Sequence, residues 1–197
     1  MSEVAATEEK RALNAHLWKR HPDDWYTEPD WVDERLFEQE QFVGSVFDPA
    51  CGLGRIVKAA QAAGYSAYGT DKVSRSSYCL AAADFFNPWA GPPPGSIVSN
   101  PPFKLAREFA EKALELARHK VALLLPTLWL HGDERSRWLA GTPLAKVLII
   151  TPRPSMPPGP VIEAGIAPGG GKADFAWFIW QRGHVGPAAV EWLRRKP

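Results

Sequence analysis

The chain has 197 residues, a formal net charge of +1 and 45% hydrophobic residues, which is typical of one soluble globular domain. The near-zero net charge neither favours nor excludes an anionic partner. No stretch approaches the ~20 apolar residues that span a bilayer, and the polar start of the chain lacks the apolar core of a signal peptide. The two cysteines have no paired Cys or His spacing, so no zinc site or disulfide framework is indicated. We therefore expect a cytoplasmic protein without a metal.

Three segments are predicted along the chain: an N-terminal extension over 1–24, disordered in part, one domain over 25–182, and a basic tail over 183–197. The domain begins with a helix over 31–42, and from residue 45 onward apolar runs alternate with helical periodicity. Strands are predicted at 45–47, 66–71, 78–83, 96–99, 121–125, 146–150 and 174–181, and further helices at 55–63, 104–120 and 134–140. This order favours an α/β fold with one doubly wound sheet of seven strands.

The loop after the first predicted strand, 48–54, reads D-P-A-C-G-L-G. Its glycines would let a ligand approach the backbone, and Asp71, about 20 residues further on, could accept hydrogen bonds from ribose hydroxyls. A nicotinamide dinucleotide site would need a third glycine, but 55–57 read R-I-V. Asp48 would also repel a pyrophosphate, so a nucleoside cofactor with a positive charge is favoured. The alternative for Asp48 is a helix cap.

The fourth predicted strand ends in Asn100-Pro101-Pro102-Phe103. Because the two prolines have no backbone N–H, they end the strand and stiffen the turn that follows. The Asn100 carboxamide oxygen and a backbone carbonyl could accept the two protons of a planar –NH2 group, while Phe103 covers the face of the ring that bears it. The alternative is an ordinary turn, because Asn-Pro often starts one.

Together these motifs resemble those of the class I S-adenosylmethionine-dependent methyltransferases. The loop 48–54 looks like their D-P-x-C-G-x-G cofactor loop, and 100–103 looks like the N-P-P-F/Y motif of the amino-methylating branch. Within that branch the chain is most similar to small stand-alone N6-adenine DNA methyltransferases of phage and bacteria. The stretches 25–29 (W-Y-T-E-P) and 170–177 (G-G-K-A-D-F-A-W) extend the resemblance, which covers about 25–181.

The resemblance implies a Rossmann-like, mostly parallel sheet with an antiparallel last strand, and S-adenosyl-L-methionine as cofactor. The implied catalytic residues are Asn100, Pro101, Pro102 and Phe103. The implied cofactor-binding residues are Tyr26, Glu28, Pro29, Asp48, Cys51, Gly52, Gly54, Asp71, Asp84 and Phe85. Of these, Asp48 and the loop that follows it would hold the methionine end, Asp71 the ribose, and Asp84 with Phe85 the adenine. Glu28 is a departure, because the family more often has Thr directly followed by Pro.

The implied substrate is adenine in double-stranded DNA, flipped out of the helix and methylated at N6. The proline-rich segment 151–172 is expected to touch it, with Lys104, Arg153 and Ser155 as substrate-binding residues and Arg153 on a phosphate; a mere linker is the alternative. Other planar amines, an RNA base or a glutamine side chain of a protein, would suit the same motif. A non-catalytic nucleic-acid-binding protein and a nicotinamide dehydrogenase are the remaining alternatives.

Overall fold

A computed structural model describes residue 22, residues 24–167 and residues 169–197, and its centre is an eight-stranded sheet with helices on both faces. The strands are β1 (Val46–Asp48), β2 (Ala67–Asp71), β3 (Cys79–Ala82), β4 (Ser96–Ser99), β5 (Lys120–Pro126), β6 (Leu144–Thr151), β7 (Phe175–Gln181) and β8 (Ala189–Arg194). The helices are α1 (Asp30–Gln39), α2 (Arg55–Ala62), α3 (Ala106–Leu116), α4 (Asp133–Ala140) and α5 (Gly159–Glu163), with 3-10 turns at Phe103–Leu105 and Thr127–His131. Within these described ranges no helix has the length and apolar character needed to cross a membrane.

The strand order is β3-β2-β1-β4-β5-β7-β6-β8. Neighbouring strands run parallel except at β7, which pairs antiparallel with both β5 and β6. The chain runs outward from β1 to β3 and then crosses to β4 on the other side of β1. This reversal leaves a crevice beyond the carboxyl ends of β1 and β4, where open α/β sheets bind their ligands. The predicted Rossmann-like, doubly wound and mostly parallel sheet is confirmed.

The apolar run 121–125 of β5 is unbroken because both faces of the strand are covered. Val121, Leu123 and Leu125 belong to the apolar cluster that includes residues of α3 and α4. Ala122 and Leu124 belong to the cluster on the other face, which includes residues of α1 and α2. Because helices cover both faces of this part of β5, all of residues 121–125 are buried and apolar.

The sheet has one strand more than the seven predicted. Strand β8 lies within 183–197, the segment expected to be a basic tail, and it pairs with β6 at the edge of the sheet. Leu193 is fully buried, and the backbone carbonyl of Arg194 accepts a hydrogen bond from α1. Because Val190 and Trp192 remain more than half exposed, the segment lacks the apolar run of an inner strand. The predicted antiparallel strand is therefore β7, and the last strand is parallel to its neighbour.

Two other segments differ from the prediction. Helix α3 is shorter than the expected 104–120, because Phe103–Leu105 forms a 3-10 turn and Lys120 already pairs with Ser96 of β4. The segment 151–172 is not loop throughout, since it contains helix α5. The predicted N-terminal extension falls outside the described residues, apart from Pro22 and Asp24.

Candidate active site

Four polar residues meet at the carboxyl edge of the sheet. Asp48 ends β1, Asp71 ends β2, Asn100 follows β4 directly, and Asp84 lies just beyond β3. All four line one cavity of about 410 Å³, which is in the size range of small-molecule and cofactor sites. The fold therefore brings the glycine loop and the Asn-Pro-Pro-Phe turn to the same cavity.

The loop between β1 and α2 requires glycine at two positions. Gly54 has a φ of +80°, and a Cβ added there would lie 2.5 Å from the Cβ of Tyr78. Gly52 has a φ of +46°, and its added Cβ would lie 3.1 Å from Nε1 of Trp25. The backbone N–H of Gly52 also donates a 2.9 Å hydrogen bond to Oδ2 of Asp71. This bond ties the loop after β1 to the acid that ends β2.

The carboxyl group of Asp48 is buried at the floor of the cavity, with 2% of the residue exposed. Its Oδ1 accepts hydrogen bonds from Oγ of Ser99, at 2.7 Å, and from the backbone N–H of Ala50, at 3.1 Å. Burial raises the pKa of Asp48 to about 8, although both hydrogen bonds act in the opposite direction. Asp48 does not cap α2, whose N-cap is Gly54. A positive ligand beside this group would favour its ionised form.

The side chain of Asp71 is held in place by two other residues that line the cavity, Val73 and Arg75. Its Oδ1 accepts hydrogen bonds from the backbone N–H of Val73, at 3.1 Å, and from Nη1 of Arg75, at 3.0 Å. The Arg75 guanidinium lies 4.2 Å from the centre of a Trp25 ring, as in a cation–π contact. The carboxyl group of Asp71 is therefore fixed by the loops that follow β1 and β2 and by an arginine.

Asp84 and neighbouring aromatic rings form another wall. Oδ1 of Asp84 accepts a 3.0 Å hydrogen bond from the backbone N–H of Phe86, and Nζ of Lys72 lies 3.0 Å from its Oδ2. The hydrogen bond from Phe86, aided by Lys72, holds the pKa of Asp84 below its ordinary value. The ring of Phe85 packs at 4.9 Å from that of Phe109. An ionised carboxylate beside aromatic rings suits a flat heterocycle that carries an amine.

Asn100 is oriented by two acceptors. Its Nδ2 donates hydrogen bonds to the backbone carbonyl of Tyr26, at 2.9 Å, and to Oε2 of Glu28, at 2.6 Å. Because a backbone carbonyl can only accept, the nitrogen and oxygen of the carboxamide are assigned without ambiguity. Both Nδ2 protons are used, so Oδ1 is the atom of this side chain left to accept a hydrogen bond from a ligand.

The segment 24–28 runs along the Asn-Pro-Pro-Phe turn. The ring of Tyr26 is nearly parallel to that of Phe103, with an interplanar angle of 7° and 5.8 Å between centroids. Oδ2 of Asp24 accepts a 3.1 Å hydrogen bond from the backbone N–H of Lys104. The same segment reaches the proline-rich region, because the backbone N–H of Thr27 donates to the carbonyl of Pro157. It therefore joins the turn after β4 to the segment between β6 and β7.

Three almost completely buried acids interact at the cavity, namely Glu28 and Asp48, which line it, and Asp33, which does not. Burial raises the pKa of Glu28, and burial together with the charge of Glu28 raises the pKa of Asp33 well above its ordinary value. In the part of the chain that the structure describes, no group of three or more His, Cys, Asp or Glu side chains is placed to hold a metal ion.

Most of the predicted site residues meet at the cavity, but some do not. Those that line it are Tyr26, Glu28, Asp48, Cys51, Gly52, Asp71, Asp84, Phe85, Asn100, Pro102 and Lys104. Those that do not line it are Pro29, Gly54, Pro101, Phe103, Arg153 and Ser155. Arg153 forms an ion pair with Asp174, with 2.7 Å between Nε and Oδ1 and both side chains more than half exposed. Its contact with a phosphate therefore stays a prediction.

Several residues at the site are not apparent from the sequence. Ser99 had a usable signal, since it is a polar residue in a strand buried at every position. Trp25 and Arg75 stack on each other although they are 50 residues apart in the chain, and no pattern in the sequence predicts this contact. Arg55, whose Nη1 donates a 2.7 Å hydrogen bond to the Glu28 carbonyl, is likewise visible only in the fold.

No protein-family model and no curated protein matches the chain. Solved structures do match it. A Listeria monocytogenes protein assigned as a class I S-adenosylmethionine-dependent methyltransferase is similar over 95% of this chain and 72% of its own, with a TM-score of 0.61 and 12% identity. The M protein of the type I restriction enzyme EcoKI is similar over 86% of this chain and 48% of its own, with a TM-score of 0.57 and 13% identity. A Pyrococcus horikoshii protein assigned as an RNA methyltransferase is similar over 90% of this chain and 98% of its own, with a TM-score of 0.53 and 15% identity.

These similarities concern the fold, because all three identities are 15% or lower. The chain spans about half of the EcoKI M protein, at 48%, and nearly all of the Pyrococcus protein, at 98%. The chain therefore has the fold found in class I S-adenosylmethionine-dependent methyltransferases.

Proposed function

We propose that this chain transfers a methyl group from S-adenosylmethionine to the exocyclic N6 of adenine in DNA. The observation that carries the proposal is the Asn100 carboxamide, which is held by its nitrogen at the wall of the cavity and keeps its oxygen as an acceptor. An acceptor fixed in this way recognises a planar amine. The carboxylates at the neighbouring strand ends suit a nucleoside cofactor in the same cavity.

The cavity residues fit S-adenosylmethionine. Gly52 lines the cavity, and Asp48 is a buried acid that a positive group would keep ionised. We assign the ribose hydroxyls to Asp71 and the adenine amine and ring to Asp84 with Phe85, all of which line the cavity. When bound, S-adenosylmethionine supplies an electrophilic methyl group on a sulfonium.

The chain's own contribution is to position and polarise the amine. An aromatic amine is a poor nucleophile because its lone pair is delocalised into the ring. Hydrogen bonds from N6 to Oδ1 of Asn100 and to the carbonyl of Pro101 favour a pyramidal nitrogen and stabilise the positive charge that develops there. Phe103 does not line the cavity, but its ring is stacked on that of the lining residue Tyr26, and the two rings together would replace the stacking that a flipped base loses. Holding both reactants in one cavity provides much of the remaining acceleration.

DNA is favoured as the substrate by the Asn-Pro-Pro-Phe sequence and by the similarity to the M protein of a type I restriction enzyme. An RNA base is the second candidate, because the chain is similar over 90% of its length to a protein assigned as an RNA methyltransferase. The two candidates share the cofactor site and the amine acceptor, and they differ in what surrounds the target base.

The test is transfer of radiolabelled methyl from S-adenosylmethionine to unmethylated duplex DNA, followed by nucleoside analysis, with Asn100→Ala as the control. We expect labelled N6-methyladenine with the wild-type protein and none with the variant. Cofactor binding without label in DNA would overturn the DNA assignment. Label in RNA under the same conditions would then establish the second candidate.

A further inference from the structure

Glu28 differs from the other acids of the cavity in its partner, because its carboxyl group accepts a hydrogen bond from Asn100. Only 6% of the residue is exposed, and Oε2 accepts a 2.6 Å hydrogen bond from Nδ2 of Asn100. A short hydrogen bond between two buried groups is costly to lose, because the group left behind has no water to replace its partner. The Glu28 carboxyl group therefore contributes by binding the Asn100 side chain.

The orientation of Asn100 needs this contact. A carboxamide can turn by 180° about its last bond, which exchanges its oxygen and its NH2 group. With the NH2 group toward a substrate amine, two donors would face each other and the acceptor would be lost. The Tyr26 carbonyl binds one Nδ2 proton, and Glu28 binds the other. In the reversed orientation, Oδ1 of Asn100 would face both a carbonyl and a carboxylate.

Glu28 is itself held in place. Nη1 of Arg55, the first residue of α2, donates a 2.7 Å hydrogen bond to its backbone carbonyl. Pro29 follows as the N-cap of α1, and Asp30 at the start of that helix lies 3.0 Å from Arg55. Glu28 is thus fixed between two helix starts, one of which follows the glycine loop directly. Asn100 in turn is held by a residue whose backbone is fixed by contacts with both helix starts.

We propose that Glu28 is a positioning residue that holds the Asn100 carboxamide with Oδ1 toward the substrate amine. This role rests on the proposed function, and it differs from a direct contact with S-adenosylmethionine, which is what the family resemblance implies for this position. A positioning residue affects turnover, whereas a cofactor contact affects binding of the cofactor.

The kinetic test compares Glu28→Ala and Glu28→Gln with the wild-type protein, measuring kcat and the Kd for S-adenosylmethionine separately. Loss of one hydrogen bond to a charged group predicts a fall in kcat of about 10- to 100-fold for Glu28→Ala. For Glu28→Gln, whose side-chain oxygen can still accept from Asn100, we expect a fall of less than about fivefold. The Kd for the cofactor should change less than about threefold in both variants. A weaker cofactor Kd with unchanged kcat would overturn the proposal.

Two comparison variants separate positioning from other effects. Asp71→Asn is a cofactor-site change and should weaken cofactor binding. Glu40→Gln removes a buried carboxylate at the opposite end of the sheet, where it pairs with Lys120 and Lys146. That variant should leave kcat and the cofactor Kd unchanged. A fall in kcat for Glu40→Gln as large as that for Glu28→Ala would assign the effect to lost stability and overturn the positioning role.

A second measurement does not depend on activity. Hydrogen exchange of the Asn100 side-chain amide, followed by NMR with selective ¹⁵N labelling, should be slow in the wild-type protein and at least about tenfold faster in Glu28→Ala. Equal exchange rates would overturn the proposed contact. If the wild-type protein methylates neither DNA, RNA nor protein, the proposed function fails, and the exchange rates alone decide whether Glu28 holds Asn100.

Discussion

Oγ of Ser99 donates a 2.7 Å hydrogen bond to Oδ1 of Asp48, so the last residue of β4 holds the last residue of β1. Both residues are almost completely buried, and Asn100 comes directly after Ser99. The bond therefore joins the turn that would bind the substrate amine to the acid that would face the charged end of the cofactor. It favours the ionised form of Asp48, whose pKa burial has raised.

Replacing Ser99 with Ala should weaken cofactor binding. Asp48 would lose a hydrogen bond that favours its charged form, so its pKa should rise further and the affinity for S-adenosylmethionine at pH 7 should fall about 3- to 10-fold. Isothermal titration calorimetry measures the change. Ser136→Ala is the matched control, because the Ser136 hydroxyl bonds only the Asp133 carbonyl near the start of α4. An unchanged Kd for Ser99→Ala would contradict this account.

Cofactor affinity should depend on pH through Asp48. Its pKa of about 8 means that the unliganded group is mostly neutral at pH 7, and a positive ligand must shift it to the ionised form. The Kd for S-adenosylmethionine should therefore fall as pH rises from 6 to 8, by at most about tenfold per unit. S-adenosylhomocysteine, which lacks the sulfonium charge, should show a smaller dependence. Titrations in buffers of different ionisation enthalpy should detect the released proton, and a flat profile would contradict the assignment.

Ionisation of Asp48 should also affect the stability of the unliganded protein, but in the opposite direction, so that stability falls as pH rises. The folded-state pKa of Asp48 lies above the unfolded value of 3.8, so between about pH 4 and 8 the unfolded chain binds fewer protons than the folded one. Stability from this group is present below pH 4 and is lost as pH rises toward 8, by up to about 1.4 kcal/mol per unit. Urea unfolding at several pH values should show a shallower decline for Asp48→Asn. Because the pKa values of Glu28 and Asp33 are also raised, the stability of Asp48→Asn should still decline somewhat with rising pH.

Two glycine substitutions should separate backbone strain from steric conflict in the cofactor loop. Gly54 and Gly183 have similar φ values, +80° and +83°. A Cβ added at Gly54 would collide with Tyr78, whereas a Cβ added at Gly183 would have no atom within 4 Å. Gly183→Ala should cost about 1–2 kcal/mol of unfolding free energy, from the left-handed backbone alone. Gly54→Ala should cost more and should weaken cofactor binding. Equal losses in urea unfolding would indicate that Tyr78 moves aside at no cost.

Much of the cofactor half of the site follows from local sequence. The loop 48–54 and Asp71 belong to one strand–loop–helix–strand unit, in which a helix that crosses back places the second strand beside the first. Short-range geometry is enough to predict that Gly52 and Asp71 lie close, and they share a 2.9 Å hydrogen bond. The substrate side is different, because the ion pair between Arg153 and Asp174, 21 residues apart in the chain, is visible only in the fold, and the predicted contact of Arg153 with a phosphate stays a prediction.

The sequence by itself determined the order of strands and helices, because the periodicity of apolar residues reports which faces are covered. It also determined the two motifs at the strand ends. The tertiary structure alone decided that β8 adds an eighth strand, since a half-exposed edge strand carries little apolar signal of its own. It alone decided the orientation of Asn100, because the acceptor that fixes it, Glu28, is 72 residues away. A hydrogen bond between distant segments leaves no spacing in the sequence, and only packing of the segment 24–28 against the turn after β4 brings the two side chains together.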